Sequence, residues 1–113
     1  MQKFCLALDL KDDPQLIKEY EEHHKAVWPE ILSSIKDAGI ENMEIYRYET
    51  RLFMIMDVDN NFSFEKKQEM DNNNPRVQQW EELMLRYQQP FAEAANKEKW
   101  MLLKKIFDLN HSE

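Results

Sequence analysis

Glycine and cysteine are almost absent from this chain: Gly39 and Cys5 are single examples among 113 residues. One glycine excludes the glycine-rich loops that cradle phosphates and dinucleotides. One cysteine excludes an internal disulfide, so we expect a reducing compartment such as the cytoplasm. No apolar run approaches the roughly 20 residues of a membrane span, and we expect neither a membrane segment nor a cleavable signal.

Positive charge is also scarce, with 15 Lys plus Arg against 22 Asp plus Glu and a net charge of −7. The only basic runs are the pairs Lys66-Lys67 and Lys104-Lys105, so nucleic acid is not an expected partner. The neighbours His23 and His24 point about 100° apart on a helix, and no His-Glu-x-x-His motif is present. We therefore predict no metal site, and a neutral small molecule such as a sugar remains as the partner.

The first third of the chain predicts a strand followed by an interrupted helix. Residues 3–10 alternate between apolar and polar side chains in the manner of a half-buried strand. Asp13 and Pro14 indicate a helix start, because aspartate caps free N–H groups and proline fits the first turn. The apolar helical stripe continues past Pro29, and a proline there predicts a kink or break near residues 27–28.

The order of the remaining elements predicts a fold class. After Gly39, a natural helix stop, they are strands at 42–48 and 51–58, a short helix from Ser63 to Met70, a helix that starts at Asn74-Pro75, and a last strand at 100–107. This order is the split βαβ pattern of a ferredoxin-like α+β fold with an antiparallel sheet, and residues 1–113 form one domain. The strand at 52–58 is apolar on both faces, so we expect a second copy to cover the outer face and complete a dimeric α/β barrel.

One helical stripe carries the best candidate for chemistry. Tyr20, His24, Trp28 and Ile31 are spaced three or four residues apart, so they share one face of a helix. Histidine has an ordinary pKa of about 6.5 and exchanges protons near neutral pH. The residues alone equally allow a half-buried core histidine bonded to a carbonyl. The adjacent His23 is predicted to face solvent.

Other aromatic residues allow the same two interpretations. Trp80 lies on the stripe of the later helix and is most simply a packing residue, although indole rings also stack on the C–H faces of sugars. Tyr46 and Tyr48 share one strand face, opposite Met43 and Ile45. That tyrosine face is predicted to line either a cavity or a dimer contact.

The chain resembles the L-rhamnose mutarotase family over nearly its whole length. The residues that carry the resemblance are Tyr20-x-x-x-His24-x-x-x-Trp28-Pro29-Glu30, Ile31-Leu32, Gly39, Ile45-Tyr46, Leu52-Phe53-Met54, Trp80 four residues before Met84, and Ile106-Phe107. The resemblance implies a homodimeric ferredoxin-like α/β barrel with no cofactor. It also implies interconversion of the α and β anomers of a 6-deoxy-hexose such as L-rhamnose.

The same resemblance implies roles for single residues. His24 matches the proton donor, and Tyr20 matches a substrate-binding tyrosine. The family's tandem Trp-Trp falls on Gln79 and Trp80, and a further substrate-binding tyrosine falls on Met43. These departures weaken the assignment of rhamnose more than that of mutarotation. The predicted substrate-binding set is Tyr20, Trp80, Gln79, Met43 and Trp28.

Mutarotation suits these residue types. Opening a pyranose needs one proton delivered to the ring oxygen and one removed from the anomeric hydroxyl. We expect His24 to deliver the first, while the base stays open between water, a carboxylate and a tyrosine. Three alternatives stand beside L-rhamnose mutarotation: an L-fucose-directed mutarotase, a cofactor-independent monooxygenase of the same fold, and a non-catalytic sugar-binding module.

Overall fold

The structure, a computed structural model, describes residues 2–91 and 99–111 of the chain. In chain order its elements are β1 (Gln2–Leu10), α1 (Pro14–His24), α2 (Pro29–Asp37), β2 (Ile40–Tyr48), β3 (Arg51–Val58), α3 (Phe64–Asn72), α4 (Pro75–Leu85), β4 (Gln88–Gln89), β5 (Met101–Leu102) and a short 3-10 helix (Leu109–His111). Among the described residues, no helix is both long and apolar enough to cross a membrane.

The strands form one antiparallel sheet in which β1 is central. β3 pairs with one edge of β1, while the two-residue strands β4 and β5 both pair with its other edge. β2 pairs only with β3 within the described sheet and is therefore an outer strand. Because β4 and β5 together occupy the place of a fourth strand, the predicted ferredoxin-like α+β fold is confirmed.

The predicted interruption of the first helix is also confirmed. Asp13 Oδ1 accepts hydrogen bonds from two backbone N–H groups of the first turn, at 2.9 and 3.3 Å, and Pro14 is the first helical residue. α1 ends at His24, slightly before the predicted residues 27–28, and Pro29 begins α2. The break therefore places His24 at the carboxyl end of α1.

Gly39 stands at the turn between α2 and β2, as predicted. Its φ of +96° lies in the left-handed region that favours glycine. A Cβ there would lie 2.7 Å from Asp59 Oδ1, which is closer than real Cβ contacts. The single glycine of the chain is thus required by this turn.

The two faces of the sheet differ in covering. The helix-facing side chains of β1 and β3 are buried: Leu6, Leu8, Leu10, Leu52, Met54, Met56 and Val58. On the outer face Phe53 and Ile55 are half-buried, and Tyr48 is 73% exposed. As predicted, Met43 and Ile45 lie on one face of β2 and Tyr46 and Tyr48 on the other; the first pair packs towards the helices, and the tyrosines point outwards.

The last strand is much shorter than predicted. Residues 100–107 were expected to form it, but only Met101–Leu102 pairs with β1, followed by one further bond from Leu103 N to Cys5 O at 2.8 Å. Ile106 and Phe107 are 90% and 67% exposed. The prediction was wrong because an apolar pattern makes a strand only where another strand pairs with its backbone, and no described strand reaches residues 104–107.

Candidate active site

A cleft of about 430 Å³ lies between the last turns of α1 and the strands β2 and β3. Its lining residues are Tyr20, Glu21, His24, Lys25, Ile45, Tyr46, Arg47 and Leu52. The helix contributes mainly polar groups, whereas the sheet adds the apolar side chains Ile45 and Leu52. An apolar floor with a few convergent polar groups is the usual form of a small-molecule site.

His24 enters this cleft with a defined tautomer. Its Nδ1 lies 2.8 Å from the backbone carbonyl oxygen of Tyr20. A carbonyl oxygen only accepts hydrogen bonds, so Nδ1 carries the hydrogen in the neutral ring. Nε2 then carries the lone pair and can accept a hydrogen bond. No described residue hydrogen-bonds to Nε2, which is thus available to a ligand. His24 therefore has features of both interpretations: it is bonded to a carbonyl, as a packing residue would be, and it lines a cavity, as a catalytic residue would.

Burial sets the charge of the two polar aromatic groups in the cleft. The pKa of His24 is lowered from its ordinary 6.5, mainly by burial, although the bond to the Tyr20 carbonyl opposes this shift and the neighbouring His23 adds to it. The pKa of Tyr20 is raised to about 12, mainly by burial and against a hydrogen bond from Gln88. At neutral pH, therefore, His24 is mostly uncharged and Tyr20 keeps its phenolic proton.

An aromatic layer supports His24 from behind. Trp80 is only 9% exposed and stands edge-on to His24, with ring centroids 5.7 Å apart. Trp28 packs against Trp80 at 5.1 Å, and the Arg76 guanidinium lies 4.0 Å from its ring centroid. Neither indole is among the residues that line the cleft.

The remaining predicted sugar contacts lie elsewhere. Gln79 is exposed on α4, and its Oε1 accepts a hydrogen bond from Arg76 Nη1 at 2.8 Å. Met43 is half-buried in the core between sheet and helices. The structure thus brings Tyr20 and His24 together in the cleft and leaves Gln79 and Met43 outside its lining.

The prediction that His23 faces solvent was wrong. The ring is half-buried, and its Nε2 lies 3.1 Å from Tyr87 Oη. Tyr87 Oη in turn donates to Glu19 Oε1 at 3.2 Å, so His23 must be the donor in its contact with the phenol. Tyr87 follows α4 and packs against α1 without lining the cleft, a contact between residues 64 apart that helical spacing does not reveal.

Three charged cleft residues were missed in the sequence: Glu21, Lys25 and Arg47. Charged side chains usually face solvent, so these three were not singled out, although Glu21 stands three residues before His24 and shares its face. Arg47 Nε donates to Glu21 Oε2, and Arg47 Nη1 donates to the carbonyl of Glu49 at 2.7 Å. Within residues 2–91 and 99–111, no group of three His, Cys, Asp or Glu residues is placed to hold a metal ion.

Comparison with known proteins identifies similar chains. A family model described as L-rhamnose mutarotase matches residues 3–109. A protein of Xanthomonas campestris pv. campestris named L-fucose mutarotase is 41% identical over 114 residues, covering 99% of this chain and 91% of its own length. An L-rhamnose mutarotase of Phocaeicola vulgatus is 34% identical over 79 residues, covering 63% of this chain and 66% of its own.

Solved structures show the same fold at lower identity. An L-rhamnose mutarotase from Formosa agariphila matches with a TM-score of 0.72 and 21% identity, over 96% of this chain and 99% of that one. The tetracenomycin F2 cyclase of Streptomyces glaucescens matches with a TM-score of 0.62 and 14% identity, over 96% of each chain. Likeness at these identities concerns the fold alone.

Proposed function

The chain belongs to the L-rhamnose mutarotase family, and we propose that it interconverts the α and β anomers of a 6-deoxy-L-hexose by acid–base ring opening. We place L-fucose ahead of L-rhamnose as the substrate. The relative that matches 99% of the chain at 41% identity is named for L-fucose. Gln79 and Met43 also replace two sugar-contacting residues of the resemblance described above. This family assignment favours mutarotation over the monooxygenase and the non-catalytic module.

One observation carries the proposal: His24 lines a cleft large enough for a monosaccharide, and its Nε2 has no hydrogen-bond partner among the described residues. In the protonated ring, Nδ1–H stays with the Tyr20 carbonyl and Nε2–H reaches the ring oxygen of the sugar. Because the pKa of His24 is lowered, its imidazolium is a stronger acid than free imidazolium and gives up its proton more readily.

The other cleft groups hold the sugar in this proposal. Tyr20 keeps its phenolic proton, and its O–H donates a hydrogen bond to a sugar hydroxyl. Ile45 and Leu52 contact the C–H face and the C6 methyl group of a deoxy sugar, since both line the cleft. For Trp80 and Trp28 we propose support of His24, whereas direct sugar contact by these two, Gln79 and Met43 stays a prediction.

Saturation-transfer NMR tests the proposal by measuring exchange between the anomeric protons. We expect catalytic amounts of the protein to accelerate exchange of L-fucose most, then of L-rhamnose. L-Galactose is the matched control, because it differs from L-fucose only by the hydroxyl on C6, and exchange should be accelerated less. Absence of acceleration with all three sugars would contradict the proposal.

We further propose that the protein acts as a cytoplasmic homodimer. The outer face of the sheet carries Phe53 and Ile55, with exposed Tyr46 and Tyr48 beside them, and a second copy would cover it. The single thiol supports a reducing compartment. Sedimentation analysis should show a dimer that Phe53→Arg dissociates; a monomeric wild-type protein would contradict the assignment.

A further inference from the structure

Mutarotation needs a base as well as an acid, and we propose that Glu21 is the base that removes the proton from the anomeric hydroxyl. The inference rests on the proposed function and assigns the group that it leaves open. Three features carry it: the chemistry of the other cleft residues, the position of Glu21 relative to His24, and the contact with Arg47.

Chemistry excludes the other described cleft residues as the base. Tyr20 holds its proton because burial raises its pKa to about 12. The Tyr46 hydroxyl donates to Glu44 Oε2 at 3.1 Å, and this contact raises its pKa as well. Lys25 and Arg47 bring cationic donors. Among the residues that line the cleft, Glu21 supplies the one carboxylate.

The position of Glu21 suits a partner of His24. The two residues are three apart on α1, which places their Cβ atoms roughly 5–6 Å from each other on the same face. The ring oxygen and the anomeric oxygen of a pyranose are bonded to the same carbon. A sugar seated between the two side chains therefore presents one oxygen to the imidazole and the other to the carboxylate.

Arg47 holds the carboxylate while leaving part of it free. Its Nε donates to Glu21 Oε2, and its Nη1 is anchored at the β2–β3 turn through the Glu49 carbonyl. No described residue hydrogen-bonds to Glu21 Oε1. Glu21 and Arg47 also line a second hollow of about 390 Å³, and the Glu21 side chain is 49% exposed, so a ligand can reach the carboxylate.

The proton transfers balance without any co-reactant. Glu21 Oε1 takes the proton of the anomeric hydroxyl, and C1–O1 becomes a carbonyl as the bond between C1 and the ring oxygen breaks. The electron pair of that bond stays on the ring oxygen, which takes the proton from His24 Nε2. After rotation about C1–C2, the same hydroxyl adds to the other face of C1. His24 then recovers its proton while Glu21 returns one to O1.

Glu21→Gln is the direct test, because the amide oxygen still accepts from Arg47 but the side chain cannot take a proton. The ion pair is exposed and adds little to stability, so the variant should fold normally. We expect the rate of catalysed anomer exchange to fall by about 10²-fold or more. Sugar binding, detected as broadening of the sugar's NMR lines, should persist. Glu22→Gln is the matched control: it removes the same charge one residue later, outside the cleft lining, and should keep the wild-type rate.

Chemical rescue separates a proton-transfer role from a structural one. In Glu21→Ala, added formate should restore part of the rate because a small carboxylate fits the space of the removed one, whereas chloride should not. If the wild type accelerates exchange and Glu21→Gln stays near its rate, or formate leaves Glu21→Ala unchanged, the assignment of Glu21 is overturned. If the wild type accelerates no sugar, the proposed function itself has failed.

Discussion

Two adjacent histidines at the end of α1 lie in different environments. His24 faces the cleft, donates from Nδ1 to the backbone carbonyl of Tyr20, and keeps Nε2 free. His23 lies outside the cleft lining, and its Nε2 is occupied by the Tyr87 hydroxyl. Both rings stand edge-on to Trp80, with centroids 5.7 and 6.5 Å away. The same side chain is thus available for chemistry at one position and tied into packing at the next.

The difference comes from helix geometry and from where the helix ends. Consecutive residues point about 100° apart, so the two rings contact different layers of the fold. On one side lies the outer strand β2, which leaves a gap. On the other lies Tyr87, which follows α4 and closes the space with a hydrogen bond to Glu19. Availability to a ligand is therefore decided by the neighbouring element, not by the type of residue.

The largest effect should separate the two histidines by activity. His24→Gln removes the proton donor and should lower accelerated anomer exchange by about 10²–10⁴-fold, which is the usual contribution of general acid–base catalysis. His23→Gln keeps a donor near Tyr87 and lies outside the cleft, so exchange should stay near the wild-type rate. Saturation-transfer NMR measures both rates. If both variants lost activity equally, the losses would come from damage to α1 and not from the chemistry of His24.

Local signals in the sequence predict the frame of this comparison. The signals act on their immediate neighbours in the chain: Asp13 and Pro14 start α1, Pro29 starts α2, and Gly39 forms the turn after α2. The start of α1, the break between the helices and the turn before β2 are therefore all predictable. The strand at 51–58 is predictable too, because a short run that is apolar on both faces is typical of a strand inside a sheet.

Contacts between distant elements are not predictable in this way. Arg47 reaches Glu21 across 26 positions, and Tyr87 reaches His23 across 64. Both depend on how α1 is rotated over the sheet, which the spacing of its own residues does not determine. The failed strand at 104–107 has the same cause, since strand pairing is a property of two segments. The sequence therefore predicts which helix carries the chemistry, and tertiary packing decides which of its charged residues take part.

A smaller effect should come from the Tyr87 side of the helix. Tyr87→Phe removes the donation to Glu19 and the acceptor of His23, each a bond worth about 0.5–1.5 kcal/mol. We expect the free energy of unfolding, measured in urea, to fall by about 1 kcal/mol, since half-exposed partners recover water, while anomer exchange is unchanged. Tyr48→Phe, on an exposed residue, should leave stability unaltered. A large loss of exchange in Tyr87→Phe would show that the packed side also controls the cleft.

The smallest expected effect is a pH dependence of stability that belongs to His24. Burial lowers its pKa below 6.5 in the folded protein, so the unfolded chain binds the proton more tightly. The native state is then penalised as pH falls below 6.5 and through the folded pKa, and the penalty is absent above 6.5. Wild type should lose stability relative to His24→Gln between about pH 8 and about pH 5 in urea unfolding. If wild type instead gained stability relative to His24→Gln as the pH falls, the folded protein would stabilise the imidazolium. A carboxylate close to Nε2 would have this effect, so that result would mean that Glu21 lies close to His24 Nε2.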